Sequence, residues 1–412
     1  WADPMPSMTT VNICGFLVRF GCSNTDMGPM RKVGIVGIGQ VPVAEHWDRS
    51  LRDLSTEAVI SALHDAGDPI PGALYAGNML AGELTGQENV ATLIADASGL
   101  LPIEAIKIEA ACAAGGAAIR AAYLAVASGA HDCVVAVGVE KMTDHFNDAV
   151  SSALATAADA DYEAAHGVSF VALNALLMRR YMHDHGITRE DFAPFSVNAH
   201  RNAACNPHAM FMNEISVDDY MASPVIADPI SILDSAAICD GAAALILCAL
   251  DNGKAFPQPP VRLAASSCAT DTLGLSERQD PLRWQAVADS AGAAYKQAGI
   301  GPTDIDAFEL HDAFTIVSAL TLEACGFAEP GEGVRMATND AIRREGSVPI
   351  ATMGGLKGRG HPIGASGVYQ AVEAVHQLRG TAGEAQIRGA RTVMTQSVGG
   401  SGSVAVTHIF QT

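Results

Sequence analysis

The sequence predicts an α/β protein made of two similar halves, and three observations carry that expectation. Apolar runs such as CVVAVGVE (133–140) and GAAALILCAL (241–250) read as strands buried on both faces of a covered sheet. Stretches of helical spacing stopped by Gly or Pro, as at 51–66, alternate with them. Beyond residue 260 the order of elements starts over. At 412 residues the chain also exceeds one ordinary hydrophobic core.

Residues 1–29 are Met-, Ser- and Gly-rich without periodicity, and read as an extension outside the patterned core. KVGIVGIGQVPV (32–43) is a buried strand; its GIG echoes a dinucleotide loop, but Pro42 stands where the third glycine belongs, so no such site is expected. A helix over 51–66 leads to a strand over 73–79 and a helix over 89–97. Residues 106–109 alternate as a strand does, and Ala-rich 117–128 suits a helix. After strand 133–140, residues 141–233 break the pattern with helices at 170–185 and 189–202, and read as a loop domain inserted in the first half. The first half thus spans 30–250, a Pro-rich linker 251–260, and the second half 261–412.

In the second half, strand 261–267, helix 284–298 and strand 305–310 lead on to a Gly-rich turn into a helix (360–380) and a strand at 390–400. Residues 65–77 have a counterpart in 297–310. The turn into a helix at Cys112 has one in 360–380. Alternating β and α units place a site where loops of both halves meet at strand ends.

Composition narrows the function. Hydrophobic residues are 49% and charged residues 17%, with a net charge of −20 and no basic stripe, so nucleic acid and anionic membranes are not expected partners. No apolar run reaches a membrane span and no secretory signal stands out, so a cytoplasmic protein is expected. Nine cysteines without a C-x-x-C pair read as reduced thiols, not as a disulfide framework or zinc site. The HDHG at 183–186 offers adjacent side chains that do not converge, so no metal site is expected.

Chemistry centres on Cys112. It opens a helix among Ala and Gly, where unpaired N–H groups and the positive end of the helix dipole favour thiolate over thiol. Alone, such a cysteine is more often a small buried hydrophobe. The second half supplies partners: His361 on the Gly-rich turn GHPIGASG, His311 in ELHDAF at a strand end, and Gly399 in SVGGSG, which can present a backbone N–H. A histidine close to a thiol can take its proton.

EAACAAGGAAIRAAYLAVASG, VGVEKMTD, CDGAAA (239–244), HDAFT, GGLKGRGHPIGASG and a closing VGGSG occur here in the order found in the thiolase superfamily, which the sequence resembles from Met30 to Phe410. The resemblance is strongest to archaeal-type acetoacetyl-CoA thiolases (acetyl-CoA acetyltransferases) and to thiolases related to sterol carrier protein. It implies a thiolase fold, a five-layered αβαβα arrangement of two similar halves with a loop-domain insertion. It implies an acyl-CoA acyltransferase that forms or cleaves a 3-oxoacyl-CoA, such as acetoacetyl-CoA from two acetyl-CoA, through an acyl-cysteine.

By the same resemblance, Cys112 is the nucleophile and His361 activates it. His311 donates towards the thioester oxygen, and the N–H groups of Cys112 and Gly399 form an oxyanion hole. Many thiolases carry a second cysteine as acid/base; this chain has Ala313 and Ser397 at the two places where it occurs. The family further implies coenzyme A thioesters as substrates with no tightly bound cofactor, and a homodimer or tetramer. A complex with an OB-fold, zinc-ribbon protein and a hydroxymethylglutaryl-CoA synthase is also implied. A retro-aldolase on a CoA-linked substrate and a non-catalytic scaffold subunit are the alternatives.

Overall fold

The computed structural model describes residues 30–250 and 255–412. The expected extension 1–29, with Cys14 and Cys22, and residues 251–254 of the expected linker lie outside the described residues. The chain runs β1 (Val33–Gln40), α1 (Leu51–Asp65), β2 (Ala73–Gly77), α2 (Val90–Ala97), β3 (Glu104–Ile108), α3 (Ala114–Ala127) and β4 (Cys133–Glu140). There follow α4 (Asn147–Ala155), α5 (Phe170–His185), α6 (Ala193–Ala203), α7 (Val217–Ala222) and a small hairpin of β5 (Val225–Ala227) and β6 (Ile230–Ser231) before β7 (Gly241–Ala249). The chain then continues through β8 (Val261–Thr270), α8 (Gln285–Ala298), β9 (Ala307–Glu309), α9 (Thr315–Ala324), α10 (Gly333–Thr338), α11 (Gly355–Gly358), α12 (Ile363–Arg379), β10 (Thr392–Gly399) and β11 (Val404–Gln411).

Nine strands form one mixed sheet in the order β3-β2-β4-β7-β1-β8-β11-β10-β9. Its halves meet at a narrow seam, where β1 pairs with β8 only through Gly34 with Arg262 and Ile35 with Val261. Helices fill the remaining layers. Leu54 and Val59 of α1 and Ile94 of α2 pack on Val135 and Ile246 on one side of the first-half strands. Ala118 and Ile119 of α3 and Val368 and Val372 of α12 share one core between the half-sheets. Val287 of α8 and Leu320 of α9 cover Met394 and Ile409 on the far side. The result is a mixed α/β fold with layers of helix and sheet in alternation, as the resemblance implies.

Strand 133–140 and helix 170–185 fall where the pattern puts them. Several elements, α9 and β11 among them, do not announce themselves in the sequence. Polar Thr407 and His408 interrupt β11, yet both are buried between β8 and β10 because His408 Nε2 bonds the carbonyl of Gly116 at 3.0 Å. The GIG of the first strand proves structural: a Cβ at Gly37 or Gly39 would run into the carbonyls of Ala62 and Ala58, so the glycines let α1 lie directly on β1.

The same device joins the central helices. A Cβ at Gly115 would come within 2.7 Å of the Gly364 carbonyl, and one at Gly138 within 2.6 Å of it. At Gly367 a Cβ would overlap the Gly116 nitrogen and come within 2.6 Å of Ser397 Oγ. Backbone meets backbone here, so nothing can give way cheaply. Gly367→Ala is expected to cost about 1 to 3 kcal/mol, read as a lowered urea midpoint, and to lower Cys112 reactivity with it. An unchanged midpoint would show that the helices can part without loss.

Candidate active site

Cys112 stands on the single turn Ala111–Ala113 between β3 and α3. Ala111 holds φ at +49°, a conformation that costs of order 1 kcal/mol for a residue with a Cβ, and its N–H is held by the Glu109 carboxylate at 2.5 Å. His311 follows β9, and His361 lies on the turn that opens α12. The Cys112 Sγ and one nitrogen from each ring lie within 4.8 Å of one another. The rings meet edge to face, 5.2 Å between centroids at 83°. These donor atoms could meet on one metal ion, the only such grouping among the described residues. The HDHG segment is solvated, with Asp184 paired to Arg180.

All three side chains line one cavity of about 220 Å³, walled by Met142, Leu154, Phe170, Phe314, Ile363 and others. Ala313 lines it too, whereas Ser397 is buried and donates to Gln370 Oε1 at 2.9 Å. Neither position can supply a second thiol. Gly399, expected in the oxyanion hole, closes β10 beside the carbonyl of Ala110 and does not line the cavity. The next residue, Gly400, lines it instead, and its N–H and that of Cys112 itself are the backbone donors at the thiol.

Electrostatics overturn one expectation. Burial, then the Glu140 and Glu109 carboxylates, push the Cys112 thiol up to about 12, outweighing both backbone N–H groups. The helix start therefore does not make a resting thiolate. Burial pulls His311 down to about 4, with Lys357 and Arg359 adding to it against the opposing pull of Asp312. His361 is held well below its ordinary value by burial and by the neighbouring His311 and Arg359. At neutral pH the site is a thiol beside two uncharged imidazoles.

Supporting groups fix this arrangement. His361 Nδ1 meets Ser366 Oγ at 2.6 Å, and Ser366 Oγ donates to the Pro362 carbonyl at 3.2 Å. With its one proton directed there, Ser366 accepts from Nδ1–H, which leaves Nε2 of His361 with the free lone pair. The His361 N–H donates to Cys239 Sγ at 3.1 Å. Asp312 accepts from the Leu356 N–H at 2.6 Å and tethers the turn after His311 to α11.

Glu140, buried at the end of β4, accepts from Asn78 Nδ2, the Met79 and Leu80 N–H groups and the Gly364 N–H at 2.8–3.0 Å. It thus ties β4 and the segment after β2 to the first turn of α12, which His361 precedes. Burial raises it to about 7 in spite of these donors. Glu140 and Ser366 went unnoticed in the sequence. A lone carboxylate in a wholly apolar strand, and a serine one helical turn past His361, were the signals that could have found them.

The chain matches the thiolase N-terminal domain model over 33–251 and the thiolase C-terminal domain-like model over 267–412. It is 46% identical over 385 residues to an acetyl-CoA acetyltransferase of Methanothermobacter thermautotrophicus, covering 92% of this chain and 100% of that one. An acetyl-CoA acetyltransferase of Methanocaldococcus jannaschii is 38% identical over 392 residues, 92% and 99% of the two chains. Among solved structures, the Ltp2-ChsH2(DUF35) aldolase superposes with a TM-score of 0.80 at 25% identity, covering 92% of this chain and 97% of that one. No helix among the described residues is long and apolar enough to cross a membrane.

Proposed function

The chain belongs to the thiolase family and is an acyltransferase acting on acyl-CoA thioesters, and from that premise we propose how its Cys–His–His site works and on what. Cys112 is the nucleophile. His361 Nε2 takes the thiol proton as Sγ bonds to the acyl carbon, the C–S bond of the incoming thioester breaks, and the proton passes to the departing coenzyme A thiol. The N–H groups of Cys112 and Gly400 hold the oxyanion of the tetrahedral intermediate. A carbanion from a second acyl-CoA then attacks the acyl carbon and expels Cys112, or free coenzyme A does so in thiolysis. His311 donates towards the thioester oxygen where enolate charge develops, and with Ala313 in the cavity the α-proton falls to His361 or His311.

The single observation that carries this reading is the approach of one thiol and two imidazoles within 4.8 Å at the end of an apolar cavity. The preferred product is acetoacetyl-CoA, by likeness to the acetyl-CoA acetyltransferases. A cytoplasmic homodimer or tetramer, and a complex with an OB-fold, zinc-ribbon protein and a hydroxymethylglutaryl-CoA synthase, belong to the same reading. So does the division into halves 30–250 and 261–412 with the loop domain 141–233.

The likeness to an aldolase favours a second reading, carbon–carbon cleavage without an acyl-enzyme. Mass spectrometry separates the two. Acetyl-CoA is expected to leave one acetyl group on the protein and none on Cys112→Ala, with acetoacetyl-CoA thiolysed faster than longer 3-oxoacyl-CoAs. An unmodified wild-type protein would sink the acyltransferase reading.

A further inference from the structure

Two buried polar side chains in the same cavity have no task in the chemistry above. Asn174 of α5 and Trp284, the residue before α8, both line it and are 3% and 2% exposed. Asn174 Nδ2 donates to the Phe170 carbonyl at 2.9 Å, which fixes the amide so that Oδ1 is the remaining group, and Oδ1 has no partner among the described residues. Trp284 Nε1–H has none either. Its ring is held from behind, since a Cβ at Gly402 would come within 3.0 Å of the indole Cδ2. Buried polar groups are seldom left unpaired, so one buried acceptor and one buried donor without partners in this largely apolar wall point to a ligand that offers the reverse pair.

We propose that Asn174 and Trp284 grip one amide of the pantetheine arm of the incoming thioester. Asn174 Oδ1 accepts the amide N–H and Trp284 Nε1–H donates to the amide carbonyl. This rests on the reading of a coenzyme A thioester as substrate. A carboxylate or phosphate fits poorly, because it offers Asn174 Oδ1 no proton and the cavity lining carries no cationic side chain. A plain alkyl arm would leave both groups unpaired.

The test compares acetylation rates of Cys112, followed by mass spectrometry, for the acetyl thioesters of pantetheine, of N-acetylcysteamine and of butanethiol. These carry two, one and no amides. The wild-type chain is expected to favour an amide-bearing thioester over the butanethiol one about tenfold or more, and Asn174→Leu and Trp284→Phe are each expected to cut that ratio about tenfold. A preference shared by both amide-bearing thioesters assigns the amide nearest sulfur; one confined to pantetheine assigns the farther amide. Variants in which all three rates fall together with the ratio intact would show that the two residues only support the wall, and would overturn the inference. A wild-type chain that prefers no arm overturns it as well. Acetylation by none of the three, nor by acetyl-CoA, overturns the acyltransferase reading itself.

Discussion

Alkylation of Cys112 by iodoacetamide is expected to rise about tenfold for each pH unit from 7 to 10, with no plateau near neutrality. The thiol is pushed up to about 12, chiefly by burial and then by Glu140, so throughout that range its thiolate share grows tenfold per unit. An imidazolium able to hold a thiolate near neutral pH would have to be protonated there. His361 is instead depressed well below its ordinary value and His311 lies at about 4, so both stay uncharged. The consequence is that the proton must leave during the reaction, not before it. His361→Asn is therefore expected to slow acetylation of Cys112 by about 10² to 10⁴, the range of a positioned general base. A rate already level at pH 6 to 8, or an Asn variant within a few-fold of wild type, would show a preformed ion pair or another base.

Arg359→Ala is expected to lower stability by roughly 3 to 5 kcal/mol, read as a large fall in the urea midpoint. Arg359 and Glu373 are 0% and 1% exposed and paired at 2.8 Å, so solvent screens neither. The guanidinium also lies 4.9 Å from the centre of the Tyr369 ring. Deleting it strands the buried Glu373 carboxylate inside α12, the helix that His361 precedes. Replacing the pair together, Arg359→Met with Glu373→Leu, is expected to cost less than either single change, because no buried charge is left alone. Equal losses in the double and the sum of singles would mean that the pair contributes independently of its charge.

Much of the candidate site is legible along the chain. Cys112, His361 and His311 each sit where an apolar strand ends or a Gly-rich turn opens a helix, and those local patterns need no coordinates. The glycines of AACAAGG and GHPIGASG could be marked as turns, but their larger role is to let α3 and α12 touch through bare backbone, as the crowding around Gly115 and Gly367 shows. Gly399 was one residue short of the donor at the thiol, Gly400, because which N–H faces inward depends on how β10 turns into β11. Asn174 and Trp284 come from segments more than a hundred residues apart and share no motif, so only their common cavity singles them out.

By itself the sequence marked the α/β class, most of the central strands and helices, and a cysteine and two histidines as candidates, since periodicity and turn residues act over a few positions. The tertiary structure alone decided their protonation. Desolvation, and charges such as Glu140 and Arg359 brought close from distant strands and helices, depend on distances that neighbours in the chain do not encode. That is why a cysteine whose local setting favours thiolate is held as a thiol.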